Sequence, residues 1–189
     1  VKDAPDIAKL VEKGKSKFAG HEIRHKNLGV IGLGAVGGPL ANAARNLGMT
    51  VYGCDPFISI EAAWHLDSHI VRVNNRDEIY SKCDIISLHT PLLDDTRGMI
   101  NAEAIAKMKD GVVIINTSRG TNVDEAALLA ALESGKVRAA GLDVYADEPA
   151  TNKALYSHPM VSCTPHIGAA TVEAQKRIGA EIVDIIKAM

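Results

Sequence analysis

The sequence predicts one doubly wound α/β domain, in which helices cover both faces of a parallel sheet. Seven short apolar runs, rich in β-branched residues, alternate with stretches of helical periodicity, and this alternation is typical of such a sheet. No internal repeat, low-complexity tract or interdomain linker divides the chain. The predicted strands lie at positions 28–32, 50–54, 69–73, 84–88, 112–116, 139–144 and 160–163.

Helices are predicted between these runs and at both ends of the chain. The opening stretch, DAPDIAKLVEKGKSKF, is amphipathic, so we expect a leading surface helix over residues 1–17. The closing stretch, TVEAQKRIGAEIVDIIKAM, predicts a helix over residues 171–189. We expect the lysine cluster of the opening helix to form its solvated face; its members are Lys9, Lys13, Lys15 and Lys17.

Capping residues support the internal helices. Asn101 and Asp124 stand at N-cap positions, where a side-chain oxygen accepts from free backbone N–H groups. Gly48 and Gly135 stand where the helices before them should end.

Composition excludes several classes of protein. The chain has 189 residues, enough for one substantial core, and a formal net charge of −2. A nucleic-acid or membrane-surface binder needs a basic excess, so we expect neither partner. The three cysteines lack the spacing of metal ligands, and we expect reduced thiols, no metal and a cytoplasmic protein. Because the chain begins without methionine and ends on a helical pattern, we expect it to be part of a longer protein.

A glycine-rich loop, GLGAVG, follows the first predicted strand and opens into a helix. Gly32 permits a tight turn, Gly34 lets the backbone approach a pyrophosphate, and Gly37 allows close packing of helix on strand. Glycine-rich turns also occur where no ligand binds. Asp55 follows the second strand, eighteen positions after Gly37, where a carboxylate can accept hydrogen bonds from both hydroxyls of an adenosine ribose and repel a 2′-phosphate. Together these features predict a Rossmann fold that binds NAD.

Polar residues follow the later strands, whose carboxyl ends meet at the same edge of the sheet. A histidine is the natural acceptor for a hydroxyl proton near neutral pH, and a carboxylate bound to its other ring nitrogen fixes the tautomer. An arginine can bind the carboxylate of a substrate through two parallel hydrogen bonds. This chemistry suits the oxidation of a 2-hydroxy acid. The residues at these strand ends are Thr90, Ser118, Arg119, Asp143, Glu148 and His166.

Each of these residues also has an ordinary structural explanation. Taken alone, Arg119 could form a surface ion pair, Glu148 could be a solvated loop residue, and His166 could be a hydrogen-bonded histidine of the core. Only the three together favour catalysis. We expect His89 to shape its loop, and the remaining histidines to lie at the surface or cap helices; these are His21, His25, His65, His69 and His158.

Four segments carry a resemblance to a known family. GLGAVG, NTSRGTNVDEAAL, GLDVYADEP and TPHIGAAT resemble the signature segments of the D-isomer-specific 2-hydroxyacid dehydrogenases, and the resemblance runs from Asn27 to the C-terminus. It implies that Arg119, Glu148 and His166 are catalytic. It also implies that the cofactor-binding residues are Gly32, Gly34, Ala35, Val36, Gly37, Asp55, Thr90, Pro91, Thr96, Thr117, Ser118, Arg119, Asp143, His166 and Gly168, with Asp143 near the nicotinamide end.

The resemblance also implies a substrate and partners. HTPLLDDT, EPATN and the EAQ after the histidine motif are most similar to members that oxidise 3-phosphoglycerate in serine biosynthesis. Alternatives are another hydroxy acid, such as glycerate, hydroxypyruvate or lactate, or a non-catalytic NADH-sensing module. Family members have a second, substrate-binding domain, which we expect to be absent from this chain; residues 1–189 would then bind NAD with little turnover. The family also implies a homodimer through this domain.

One position departs from the pattern of the family. Ala35 stands where many members have an arginine or histidine, so one side-chain contact to the pyrophosphate is missing. We therefore expect a modestly weaker affinity for the same cofactor.

Overall fold

A computed structural model describes residues 6–188 and confirms the doubly wound parallel sheet. The seven strands are β1 Asn27–Ile31, β2 Thr50–Cys54, β3 Val71–Arg72, β4 Ile85–Leu88, β5 Val112–Asn116, β6 Val137–Leu142 and β7 Val161–Cys163. They form one sheet in the order β3-β2-β1-β4-β5-β6-β7, and each of these pairings is parallel.

Helices follow the strands as predicted. They are α1 Ile7–Gly14, α2 Gly37–Asn46, α3 Ile60–Trp64, α4 Arg76–Lys82, α5 Ala102–Lys107, α6 Glu125–Glu133, α7 Lys153–Tyr156 and α8 Val172–Ala188, with short 3₁₀ turns at Lys15–Phe18 and Gly120–Asn122. The predicted caps are confirmed: Asn101 accepts from the N–H of Ala104, and Asp124 accepts from those of Ala126 and Ala127.

Two strands, β3 and β6, differ from their predicted bounds by two residues, whereas β1, β4 and β7 differ by one residue. The third apolar run forms a strand only at Val71–Arg72, because β3 lies at the edge of the sheet and pairs with β2 through these two residues alone. The sixth strand begins at Val137, two residues early, because Val137 pairs with Val112 of β5. It ends at Leu142, so Asp143 lies just beyond the strand.

The core lies on both faces of the sheet, as the strand pattern requires. Leu28 and Val30 of β1 pack in one apolar cluster, whereas Ile31 belongs to the larger cluster on the opposite face. A Cβ at Gly29 would collide with Ile79 of α4, so this glycine lets the helix lie close against β1. Tight packing at β1 fixes the position of the glycine loop that follows it.

The first and last helices are exposed along nearly their whole length. No residue of α1 or α8 is buried, although both carry apolar side chains such as Leu10 and Ile185. The lysine cluster of the opening segment is exposed as predicted. Residues 1–5 and Met189, which belong to the predicted terminal helices, lie outside the described residues. Within the described part of the chain, no helix is both long and apolar enough to cross a membrane.

Candidate active site and cofactor cavity

The strand order reverses between β1 and β4, and the candidate site lies beyond the carboxyl ends of the strands at this point. The chain runs outward from β1 to β3 on one side and from β4 to β7 on the other. The helices therefore leave a crevice between the loops after β1 and β4, where open α/β sheets bind their ligands.

The glycine loop has the geometry that a bound pyrophosphate requires. Gly32 has a φ of +91°, a conformation that favours glycine, and its N–H donates to the carbonyl of Cys54 at 2.9 Å. A Cβ at Gly37 would collide with the carbonyl oxygen of Gly32, so the loop closes directly onto α2. Around Gly34, apart from the glycine itself and its two chain neighbours, no atom of residues 6–188 lies within 4 Å of where a Cβ would be. The backbone is thus open to a ligand at Gly34 and packed at its neighbours.

A cavity of about 470 Å³ adjoins this loop, which is within the usual range for a small-molecule site. Its walls come from the loops after the first four strands and include Gly34, Asp55 and Thr90. Asp55 is held by two backbone donors, since Oδ2 accepts from the N–H of Leu33 at 2.8 Å and Oδ1 from that of Phe57 at 2.9 Å. Each carboxylate oxygen keeps a further lone pair for a ribose hydroxyl.

Hydrogen bonds of Thr96 hold the loop after β4 in place. This side chain is buried, and its hydroxyl donates to the carbonyl of Pro91 at 2.7 Å and accepts from the N–H of Leu93 at 2.8 Å. Thr96 also lines the cavity, but its hydroxyl is engaged within the protein, where it holds the loop that contains Pro91. In the same loop His89 contacts Ser87 Oγ through Nε2 at 2.8 Å, and burial lowers its pKa; the loop-shaping role of His89 stays a prediction.

A buried polar network joins the loops after β4 and β5. The Nδ2 of Asn122 lies 3.2 Å from both oxygens of Thr90 and 3.3 Å from Ser118 Oγ. Ser118 donates in turn to Asn116 Oδ1 at 2.9 Å, and Asn116 Nδ2 donates to the carbonyl of Arg119 at 2.9 Å. Asn116 and Asn122 were not among the predicted site residues; their only signal in the sequence was an amide side chain among apolar or small neighbours.

Arg119 is exposed at the end of β5. Its Nη1 donates to the carbonyl of Ser118 at 2.7 Å, which leaves other guanidinium donors for a ligand. A Cβ at the adjacent Gly120 would collide with the backbone of Tyr145, so the loop that carries Arg119 packs directly on the loop after β6. This contact brings Arg119 towards the remaining two catalytic candidates.

Asp143 anchors the histidine loop. Its carboxylate accepts from Thr164 Oγ1 at 2.6 Å and from the N–H groups of Ile167 and Gly168 at 2.9 and 3.0 Å. Burial raises the pKa of this carboxyl, but the three hydrogen bonds outweigh burial and leave the pKa below its ordinary value. Asp143 therefore holds the backbone around His166; its predicted contact with the nicotinamide end stays a prediction.

Glu148 and His166 form the predicted carboxylate–histidine pair. His166 Nδ1 lies 2.7 Å from Glu148 Oε2, and Glu148 Oε1 accepts from the N–H of Tyr145 at 3.3 Å. This pairing lowers the pKa of the Glu148 carboxyl, so the group is ionised at neutral pH. With the carboxylate accepting, Nδ1 carries the proton and Nε2 is the basic nitrogen. The His166 side chain is half exposed, and its φ of +55° turns the backbone sharply at this point.

The remaining predicted cofactor residues lie along the same edge. Ala35, Val36 and Thr117 are exposed in loops at strand ends, and Gly168 follows His166. The open backbone at Gly34, the cavity and the free lone pairs of Asp55 fit a dinucleotide. Whether each residue contacts it stays a prediction.

The structure also describes the three cysteines and two of the histidines expected at the surface or at helix ends. All three cysteines are free thiols, and Cys54 and Cys83 are buried. His65 caps α3, and His69 contacts Asp67 at the surface. Among residues 6–188, no group of three or more potential ligands is arranged to hold a metal ion.

Comparison with known proteins supports the interpretation of this edge of the sheet as an NAD-binding site. Residues 1–168 match the family model described as D-isomer specific 2-hydroxyacid dehydrogenase, NAD binding domain. D-3-phosphoglycerate dehydrogenase of Bacillus subtilis (strain 168) is 45% identical over 173 residues, which are 90% of this chain and 32% of that protein. This chain thus spans about a third of the length of the curated relatives it matches.

Solved structures are similar over nearly the whole chain. A glyoxylate reductase from Paecilomyes thermophila matches with a TM-score of 0.82 at 35% identity, covering 96% of this chain and 56% of that one. A D-lactate dehydrogenase from Aquifex aeolicus, complexed with NAD and lactic acid, matches with a TM-score of 0.79 at 33% identity, covering 96% of this chain and 60% of that one.

Proposed function

Because the chain belongs to the D-isomer-specific 2-hydroxyacid dehydrogenase family and matches its NAD-binding domain, we propose an activity for the whole protein that contains it. We propose that the protein oxidises D-3-phosphoglycerate to 3-phosphohydroxypyruvate, a step of serine biosynthesis, and that this chain binds NAD and carries the catalytic residues. The observation that carries the proposal is the Glu148–His166 pair, at 2.7 Å, on the edge of the sheet that also bears the cofactor cavity.

The residues divide the reaction between them. His166 Nε2 accepts the proton of the substrate hydroxyl as the C2–H bond breaks, and a C2=O double bond forms. Bound NAD supplies the acceptor for the hydride. Glu148 keeps the proton of His166 on Nδ1 and stabilises the imidazolium that results. Arg119 binds the substrate carboxylate through its free donors.

The choice of 3-phosphoglycerate rests on sequence. The HTPLLDDT, EPATN and EAQ segments favour it, and relatives at 42–45% identity bear the name D-3-phosphoglycerate dehydrogenase. The structural neighbours, at 33–35% identity, include enzymes named for glyoxylate and lactate. Glyoxylate, glycerate and lactate are therefore the competing substrates to test.

The test of the activity is a substrate panel with the whole protein that contains this sequence. We expect NADH formation with 3-phosphoglycerate at a kcat/KM at least tenfold above that for glycerate or lactate. A reversed preference would assign another hydroxy acid. NADH binding without oxidation of any of these acids would instead support a cofactor-sensing module and contradict the enzymatic proposal.

The assembly and the compartment are further parts of the proposal. We propose that residues 1–189 form one NAD-binding domain, that the substrate-binding domain lies outside them, and that the isolated chain binds NAD with little turnover. We also propose a homodimer through this domain and a cytoplasmic location. Family resemblance supports the dimer, and three free thiols suit a reducing compartment. A sedimentation measurement of the isolated chain that gave only monomer would contradict the dimer.

The cofactor preference is tested at Asp55. We expect Asp55→Ala to reduce the preference for NAD over NADP by roughly tenfold or more, because the variant neither accepts from ribose hydroxyls nor repels a 2′-phosphate. Titration calorimetry of the isolated chain with both dinucleotides measures this. An unchanged ratio of affinities would remove Asp55 from the ribose site.

A further inference from the structure

The outer wall of the cofactor cavity carries one cation that the proposed reaction does not use. Arg76, the first residue of α4, lines the cavity together with Asp55 and Pro91. Among the described residues that line this cavity, it is the only lysine or arginine. A charged side chain at this position therefore needs an explanation other than solvation.

The guanidinium group of Arg76 is held in a fixed place. Its Nη1 donates to the carbonyl of Asp95 at 2.8 Å and lies 3.4 Å from the sulfur of Met99. Met99 is itself held, since the Tyr80 hydroxyl donates to its carbonyl at 3.1 Å. The Arg76 side chain is about one-third exposed, in contrast to freely solvated surface arginines. The result is a planar cation that is immobilised at the wall of the cavity.

The strand order indicates which part of the cofactor lies at Arg76. The glycine loop follows β1, Asp55 follows β2, and Arg76 comes after β3, so the three lie in succession across the edge of the sheet. If the loop holds the pyrophosphate and Asp55 the adenosine ribose, the next group outward is the base. This step rests on the proposed binding of NAD.

We propose that Arg76 is a specificity-determining residue for the cofactor and that its guanidinium plane stacks on the adenine base. A cation is attracted to the face of an aromatic ring, and arginine planes stack on nucleobases. Phe57, in the loop after β2, also lines the cavity while 78% of its surface is exposed, so it offers the base an apolar neighbour.

The surroundings argue against a 2′-phosphate as the ligand of Arg76. Asp95 Oδ2 lies 3.8 Å from Nη2, and Asp55 lines the same cavity. Both carboxylates oppose the approach of a dianion, whereas a neutral base meets no such repulsion. The Arg76 side chain, about one-third exposed, is therefore better suited to a neutral base.

The test compares the natural cofactor with nicotinamide cytosine dinucleotide, in which a single-ring base replaces adenine. The isolated chain is titrated by calorimetry as wild type, Arg76→Ala, Arg76→Lys and the control Arg72→Ala. Arg72 is an exposed arginine of β3 that does not line the cavity. We expect Arg76→Ala to lose about tenfold in affinity for NAD and about threefold or less for the cytosine analogue. Arg76→Lys, which keeps the charge and lacks the plane, should behave more like Arg76→Ala than like wild type.

Three outcomes would overturn the proposal. An equal loss for both dinucleotides would mean that Arg76 only supports the fold, and thermal unfolding of each variant would show this independently. An unchanged NAD affinity in Arg76→Ala would remove the residue from the base site. With NADP titrated in parallel, a loss confined to NADP would assign Arg76 to a phosphate. If wild type binds neither NAD nor NADH, the failure lies with the proposed function, and the proposal for Arg76 fails with it.

Discussion

The two halves of the carboxyl edge of the sheet are built in different ways. In the cofactor half, after β1 to β4, backbone packing encloses a cavity, with Gly37 pressed against Gly32. In the catalytic half, after β5 to β7, residues 162–171 are exposed throughout. There the order comes from hydrogen bonds to Asp143 and between Glu148 and His166.

This contrast separates binding from catalysis. The cofactor half is shaped by close contact, so it is preformed for a dinucleotide. The catalytic half sets a precise pair of groups on an open surface, where water has free access to His166. Exclusion of water strengthens electrostatic interactions in an active site, so we expect efficient turnover only where a further surface closes over this half.

The largest expected effect comes from removing the proton acceptor of the catalytic half. In the whole protein, His166→Asn should lower kcat roughly a thousandfold, because His166 is the proposed acceptor of the hydroxyl proton, while NAD affinity changes by about twofold or less. The matched control is His69→Asn, which removes another exposed histidine paired with a carboxylate, at 3.0 Å from Asp67. A large loss of NAD affinity in His166→Asn would show that the two halves are not separable.

A smaller effect is expected from weakening the anchor of the histidine loop. Asp143→Asn should lower the free energy of unfolding by about 2 kcal/mol, because one amide oxygen cannot replace a carboxylate that accepts three hydrogen bonds. Denaturant unfolding measures this, with the exposed Asp184→Asn as control. Equal stabilities of the two variants would contradict the anchoring role.

The same variant has a pH signature. The pKa of Asp143 is lowered below its ordinary value of 3.8, so the native state favours the ionised form. The stabilisation is present at neutral pH and is lost as the pH falls through the lowered pKa. The difference in unfolding free energy between wild type and Asp143→Asn should therefore shrink below about pH 4.

The smallest expected effect tests the cofactor half. Gly34→Ala should leave stability within about 0.5 kcal/mol of wild type and weaken NAD binding about tenfold, because its methyl group occupies space left open for a ligand. Gly37→Ala is the contrasting variant, since its Cβ would collide with Gly32 and destabilise the fold. Unchanged NAD affinity in Gly34→Ala would contradict the close approach of the pyrophosphate. Calorimetry and thermal unfolding measure both quantities.

Most of the fold could be predicted from local patterns. Apolar runs and helical periodicity located all seven strands, and Asn101 and Asp124 marked helix starts, because these signals depend on neighbours in sequence. The length of β3 could not be predicted, since a strand at the edge is defined by pairing with a single neighbour, and only Tyr52 and Gly53 of β2 pair with it. The exposure of α8 could not be predicted either, because its amphipathic pattern indicates an apolar face but does not indicate whether another element covers that face.

The sequence alone therefore determined the parallel sheet, the glycine loop, Asp55 and the three catalytic candidates, because each is a residue type at a characteristic spacing. Only the tertiary structure decided how side chains from distant segments share their hydrogen bonds. In the folded chain, Asp143 accepts a hydrogen bond from the loop of His166, and Asn122 donates one to Thr90. Folding also places Arg76 in the wall of the cofactor cavity. These contacts join residues far apart in the chain, and their distances depend on the packing of strands and helices.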